Sequence, residues 1–362
     1  MVSLSLPEMA TTSHPEPTPE DAALLRRLVE IESTSGHEAD AVAELCRAMA
    51  ARGFRAERDA AGNAVGVIGS GPRRIVLLGH IDTVPGRIPV RIADGELHGR
   101  GAVDAKGPLA TFVAAAAAAA PELNATVTVV GAVGEETIGS PGASLVATWP
   151  APDLCIIGEP SGWDAVCLGY RGSLSLLYRL RRGARHTAGP GESVSEEAVA
   201  FWNVLVAEVA ASNEGATGTF GSISHSLRAF NTTSDGLTDE ATLSIGLRLP
   251  PGLDVDALRS RLHDLAGDAD LIVDGCQEGY RTDRRSPLSA PFLRAIRAEG
   301  GTPRFTVKLG TSDMNVVGPA WGCPIVAYGP GDAALDHTPE ERIVLADYAR
   351  AIRVLTNVLV AL

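Results

Sequence analysis

Five short polar clusters in this chain hold the residue types that bind divalent cations and move protons. The first is Gly79-His80-Ile81-Asp82-Thr83-Val84-Pro85. Residues two apart on extended chain point the same way, so His80 and Asp82 share a face. A metal-binding imidazole passes its other N–H to a carboxylate, and Asp82 is placed to receive it. The second cluster, Gly99 to Gly107, carries Asp104, which can serve as a helix N-cap or as a carboxylate bridging two cations. The third is Gly134-Glu135-Glu136-Thr137. Neighbouring side chains on extended chain point to opposite sides, so one carboxylate can hold metal while the other handles protons. Gly158-Glu159-Pro160 and Asp336-His337-Thr338-Pro339-Glu340 are the fourth and fifth. Each cluster alone has an ordinary explanation as a cap, a turn or a solvated pair. Two imidazoles and several carboxylates recurring after successive strands are more than caps and turns require.

The elements that must position them can be read from periodicity. Leu24, Leu25, Leu28 and Val29, then Val42, Leu45, Cys46 and Met49, recur at helical spacing between Asp21 and Gly53. Short Val- and Ile-rich runs predict strands at 64–68, 74–78, 126–133 and 154–157, each bounded by turn residues. A helix is expected over 105–120, where seven consecutive alanines suit tight packing on a sheet. Alternating strands and helices predict an α/β fold with a largely parallel sheet covered on both faces. The middle reads differently. A strand pair is expected over 165–180, turning around Gly169 to Gly172, then a helix over 195–211. A strand at 242–248, a helix at 255–266 and a strand at 271–273 give an α+β, ferredoxin-like order. The expected organisation is a leader over 1–20, a main domain over 21–164 and 284–362, and an inserted domain over 165–283. Strands at 306–308 and 325–328 and a last helix from Pro339 complete it.

Composition narrows the function. The 362 residues carry 31 Lys+Arg against 44 Asp+Glu, a net charge of −13. That balance argues against nucleic acid or an anionic membrane as the main partner. No apolar run approaches the roughly 20 residues of a membrane helix. The five cysteines are scattered with no CxxC pair, the pattern of reduced thiols in a cytoplasmic protein.

The set GHIDTVPG, GRGAVDAKG, GEE, GEP and DHTPEE resembles the M20 family of dinuclear zinc amidohydrolases, in order and spacing, from about Pro19 to the C-terminus. The resemblance implies a zinc-peptidase-like sheet domain with an inserted lid through which members form homodimers. It implies that Asp104 bridges two Zn²⁺ ions, with Co²⁺ or Mn²⁺ as substitutes. His80 and Glu159 would hold one ion, Glu136 and His337 the other. Glu135 matches the general base, Asp82 the residue orienting His80, and the peptide after Asp104 is cis in the family. Two cations give +4 against −3 from Asp104, Glu136 and Glu159, which leaves room for one more anion.

For the substrate, the resemblance points to His186, Asn231, Arg248, Gly310 and Thr311. Relatives carry an acidic residue two positions before the Arg248 equivalent, where this chain has Gly246. The stretches GRGAVDAKGPLA, GEPSGWD, KLGTSDMNV and YGPGDAALDHTPEE are most similar to the lysine/ornithine branch. That branch removes an acetyl group, or the terminal glutamate of an acidic amino-group carrier protein, from lysine or ornithine in biosynthesis. A basic rim for such a carrier is expected from Arg26, Arg27, Arg179, Arg181, Arg182 and Arg185. The alternatives are an M20 desuccinylase, carboxypeptidase or dipeptidase, or a non-catalytic metal-binding dimeric module.

Overall fold

The computed structural model of the protein describes residues 16–186 and 188–362. Helices α1 (Pro19–Glu30) and α2 (Ala39–Ala51) come first. The Thr18 hydroxyl caps α1 by accepting the Asp21 N–H at 3.1 Å, and Pro19 fills the first turn. Then follow β1 (Arg55–Arg58), β2 (Ala64–Ile68), β3 (Arg73–His80), β4 (Arg91–Ala93), β5 (Glu96–His98) and α3 (Lys106–Ala119). β6 (Ala125–Ala132), α4 (Pro141–Val146), β7 (Leu154–Gly158) and β8 (Ala165–Tyr170) precede the middle segment. That segment holds β9 (Gly172–Gly183), α5 (Val194–Ser212), β10 (Ser224–Ser234), β11 (Thr238–Leu249), α6 (Val255–Ala266) and β12 (Asp270–Gln277). The chain closes with β13 (Tyr280–Arg281), α7 (Ser289–Ala298), β14 (Arg304–Lys308), α8 (Met314–Trp321), β15 (Ile325–Ala327), β16 (Arg342–Val344) and α9 (Leu345–Ala361).

The main sheet has nine strands in the order β1-β2-β6-β3-β7-β15-β8-β13, with β14 also on β8. Its centre, β6-β3-β7-β15, is parallel; β1-β2-β6 on one flank and β15-β8-β13 on the other are antiparallel, while β14 joins β8 in parallel. One face is covered by the core that includes Leu24, Leu45, Phe112 and Leu355, the other by a core including Val146, Met314 and Val317. The alanine-rich α3 is buried almost all round, since small side chains let it lie close on the sheet. At the carboxyl end of the parallel strands Gly79 stands beside Gly131 and Gly158. A Cβ on Gly158 would come within 2.9 Å of the Phe112 ring and 3.1 Å of the Gly79 Cα, so α3 seats only over glycine there.

The middle segment carries its own four-stranded antiparallel sheet, β10-β11-β9-β12, with α5 and α6 packed on one face around a separate apolar core. A reciprocal capping box, Ser193 with Glu196, starts α5. The β-α-β-β-α-β order matches the ferredoxin-like expectation, but its strands are not those expected. β8 and β9 do not form a hairpin around Gly169 to Gly172. β8 pairs with β13, β14 and β15 in the main sheet, while β9 pairs with β11 and β12. The second sheet therefore spans 172–277, inside the 165–283 expected. The missing strand is β10, whose residues are nearly all exposed because it lies at a sheet edge, so no apolar alternation announces it.

The helical spacing between Asp21 and Gly53 is realised as two helices, split at 31–38. The last helix begins at Leu345, because the residues after Pro339 run into β16, which pairs with β5. The leader's residues 1–15 lie outside the described residues, and α1 begins at Pro19, within the twenty expected. All five cysteines are free. Among the described residues no helix is long and apolar enough to cross a membrane.

Candidate metal centre

His80 is the last residue of β3, Glu135 and Glu136 follow β6, and Glu159 follows β7, so three adjacent parallel strands deliver them to one sheet end. Asp104 comes from the loop into α3, and His337 from the loop before β16. His80 Nε2 lies 3.1 Å from Asp104 Oδ1, and His337 Nε2 lies 3.0 Å from Asp104 Oδ2. One carboxylate thus turns an oxygen to each imidazole. Glu159 Oε1 stands 3.8 Å from His80 Nε2, and Glu136 Oε1 2.9 Å from His337 Nε2. His80, Asp104 and Glu159 form one potential ligand triad, and Asp104, Glu136 and His337 another, with donor atoms within 4.8 Å of one another in each. Imidazole mixed with carboxylate suits zinc and, with less preference, manganese or cobalt. The donor set therefore fits a pair of divalent cations sharing Asp104.

Asp82 organises the loop around this pair. It is fully buried, and its carboxylate accepts the N–H of Glu135 and of Glu136, each at 3.1 Å, and the Ser35 hydroxyl at 2.7 Å. His80 Nδ1 sits 3.0 Å from the Asp82 carbonyl oxygen and 3.5 Å from its carboxylate. The nearer contact is with the backbone, which differs from the side-chain pairing expected. Glu135 and Glu136 also depart from expectation. Gly134, at φ +71°, turns the chain out of extended conformation, and both carboxylates come within reach of His80. The Asp104–Ala105 peptide is cis, as the resemblance implies. His337 adopts φ +62°, a left-handed conformation uncommon outside glycine.

The charges follow from this packing. Burial works against the Asp104 anion, yet His337 and His80 hold its carboxyl below the usual carboxylate range. Hydrogen bonds to Asp104 and Glu136 push His337 up to about 10. Burial pushes Glu135 and Glu159 well up, with neighbouring carboxylates adding to it. Asp313 is also buried, neither carboxylate oxygen has a hydrogen-bond partner, and its carboxyl is pushed up to about 7 by burial.

A cleft of about 520 Å³ opens over the centre. Of the expected substrate residues, Arg248, Gly310 and Thr311 line it. His186 and Asn231 do not. His186 is exposed and its Nδ1 accepts the Ala188 N–H, and Asn231 lies on the edge strand β10 opposite Thr242. None of the arginines expected to form a basic rim lines the cleft, and each has a partner of its own. Arg26 pairs with Glu30, Arg27 with Glu44, Arg179 and Arg181 with Glu240, and Arg182 with Glu197 and Asp268. Arg185 donates to the carbonyls of Pro190 and Gly191. The cleft's cations are instead Arg228, Arg248 and Lys308.

Glu341, the last residue of the DHTPEE stretch, has a role that the motifs did not assign. It is fully buried and accepts the N–H of Val103 at 3.0 Å and of Asp104 at 3.1 Å, while Arg100 donates to it at 2.8 Å. It ties the loop carrying Asp104 to the loop carrying His337. Its only trace in the sequence is the second Glu after Pro339.

Similarity to known proteins extends along most of the chain. Along 96% of this chain and 99% of its own length, the [LysW]-lysine hydrolase of Deinococcus radiodurans is 46% identical. The [LysW]-lysine/[LysW]-ornithine hydrolase of Sulfurisphaera tokodaii is 30% identical over 78% of this chain and 80% of its own length. The M20 metallo-carboxypeptidase Sso-CP2 of Sulfolobus solfataricus shares the fold, with TM-score 0.78 and 18% identity over 95% of this chain and 99% of that one. The model of peptidase family M20/M25/M40 matches residues 76–361, and this chain, a metal-dependent hydrolase by that membership, belongs to it.

Proposed function

We propose that this protein is a two-zinc amide hydrolase that frees lysine or ornithine from an acyl group on its amino nitrogen, in amino-acid biosynthesis in the cytoplasm. Cobalt or manganese is a workable substitute metal. The acyl group is acetyl or the glutamyl end of an amino-group carrier protein, and the names of the two relatives favour the carrier. The observation that carries the reading is Asp104, set between two imidazoles with one oxygen toward each.

When bound, the cations supply Lewis-acid polarisation of the amide carbonyl and acidify a water. Glu135 would take a proton from an attacking water as the water oxygen adds to the carbonyl carbon, then give it to the departing amine as the C–N bond breaks. A carboxyl pushed up by burial is suited to carry a proton both ways. Asp82 fixes the Glu135–Glu136 loop against His80. Arg248, Gly310 and Thr311 meet the substrate in the cleft. His186 and Asn231 contribute through a partner subunit. The edge strand β10, with Leu227 and Phe230 exposed, supports a homodimer joined through the lid, since symmetric pairing would cover both edges.

The test is hydrolysis of acyl-lysine and acyl-ornithine substrates, small and carrier-linked, by the zinc-loaded enzyme with and without a chelator. Release of free lysine or ornithine that chelation abolishes is expected. Failure on every acyl-amino acid would end the reading.

A further inference from the structure

The cleft-facing side of the lid sheet has an arrangement that the motif resemblance does not supply. Ser173 and Ser175 of β9 are paired with Arg248 and Gly246 of β11, and Ser173, Ser175 and Arg248 line the cleft. Opposite them on β10 the register shifts between Leu227 and Ala229, which makes Arg228 an extra, unpaired residue in a bulge. Bulges re-aim side chains and recur beside active sites. Here the Arg228 side chain lies across Gly246. A Cβ on Gly246 would stand 2.6 Å from Arg228 Cζ, so any other residue there would displace the guanidinium from this position. Beyond Gly246, Arg228 reaches the Ser175 hydroxyl at 3.4 Å and lines the cleft that contains Asp104, Glu135 and His337. Two guanidiniums thus stand together on one wall, and neither forms an ion pair among the described residues. Burial, and then the Arg228 charge, work against the charged form of Arg248. Two like charges that close call for anions from outside the chain.

We propose that Arg228, laid over Gly246 by the bulge in β10, is a specificity-determining residue that binds a free carboxylate on the acyl side of the scissile amide. This inference rests on the amide-hydrolase reading above and names the acyl group. An acetyl-lysine has one carboxylate, on the lysine. A lysine joined to glutamate through one of its carboxyls has two, and a second guanidinium beside Arg248 matches the second carboxylate. The bidentate fork of arginine fits that group.

The experiment compares kcat/KM for N²-acetyl-lysine and N²-glutamyl-lysine, in both linkages of the glutamate, on zinc-loaded wild type, Arg228→Gln, Arg228→Lys and Gly246→Asp. Wild type is expected to prefer one glutamyl isomer. Arg228→Gln is expected to lower the glutamyl-to-acetyl ratio about 10–100-fold, chiefly through KM, the loss of one charge-assisted contact. Arg228→Lys should recover part of the ratio. Gly246→Asp, whose Cβ would push the Arg228 guanidinium aside and whose carboxylate would pair with it, should lower the ratio with Arg228 itself unmutated. A ratio unchanged in Arg228→Gln and Gly246→Asp, or a wild type that prefers acetyl-lysine, overturns the inference and leaves the hydrolase reading standing. A uniform fall on all substrates assigns Arg228 a structural role and overturns it too. Wild type that binds zinc but cleaves neither substrate, nor carrier-linked lysine or ornithine, removes the acyl-amino-acid reading, and this inference with it.

Discussion

As the proposed general base, Glu135 should serve turnover and not metal binding. Its carboxyl lies close to His80, yet both ligand triads around Asp104 are complete without it. Glu135→Gln is therefore expected to bind the same number of cations as wild type while kcat falls about 10²–10⁴-fold, the usual worth of a general base. Metal content by elemental analysis alongside steady-state kinetics checks this, and a variant that loses its metal would show Glu135 to be a ligand. His337 supplies a pH dependence. Asp104 and Glu136 raise it to about 10 in the metal-free protein, so below that pH its imidazole carries a proton that an incoming cation must displace. Buried Glu135 and Glu159 are pushed up as well, which adds protons to displace. Metal affinity should fall as pH drops from 8 to 6, and loading in weak buffer should release protons to an indicator dye. Loading without proton release would contradict this arrangement.

At the scale of elements, the centre is a meeting of strand ends and two clamped loops. Glu341 holds the Asp104 loop through two backbone N–H groups and Arg100. Glu341→Gln keeps the shape but weakens the clamp, and metal affinity is expected to fall about 10–100-fold, as for other residues that orient ligands. A chelator competition assay measures it. Gly158→Ala would press a methyl against Phe112 and the Gly79 backbone and cost about 1–3 kcal/mol of stability by denaturant unfolding. The sequence made the strand ends legible because β3, β6 and β7 are short apolar runs followed by polar residues, which put His80, Glu136 and Glu159 in view. The role of Glu341 was hidden because residues after Pro339 read as helix, whereas they form β16. Arg228 was hidden for another reason. Its aim depends on a bulge and on a glycine eighteen residues later, and neither has a local signature. The Gly169–Gly172 segment looked like a hairpin turn, but Arg171 there passes between sheets, its guanidinium donating to the Ser222 and Arg248 carbonyls.

Across the whole molecule, a net charge of −13 coexists with a cleft wall carrying Arg228 and Arg248 and with Lys308 in the same cleft. Local fields of this kind decide which substrate enters, independently of the overall sum. The proposed homodimer joins through the edge strand β10. Wild type is expected to sediment as a dimer, and Phe230→Glu, which would place a charge on the exposed edge strand, as a monomer. Because His186 and Asn231 lie outside the cleft of their own chain, the same variant should lose activity with its partner. An active monomer would sever that link. The account as a whole depends on two cations sharing one aspartate. Anomalous diffraction from zinc-loaded crystals tests this most directly. It is expected to show two ions per chain, one between His80 and Glu159 and the other between Glu136 and His337, with Asp104 touching both; a single ion, or a pair that leaves Asp104 untouched, would contradict it.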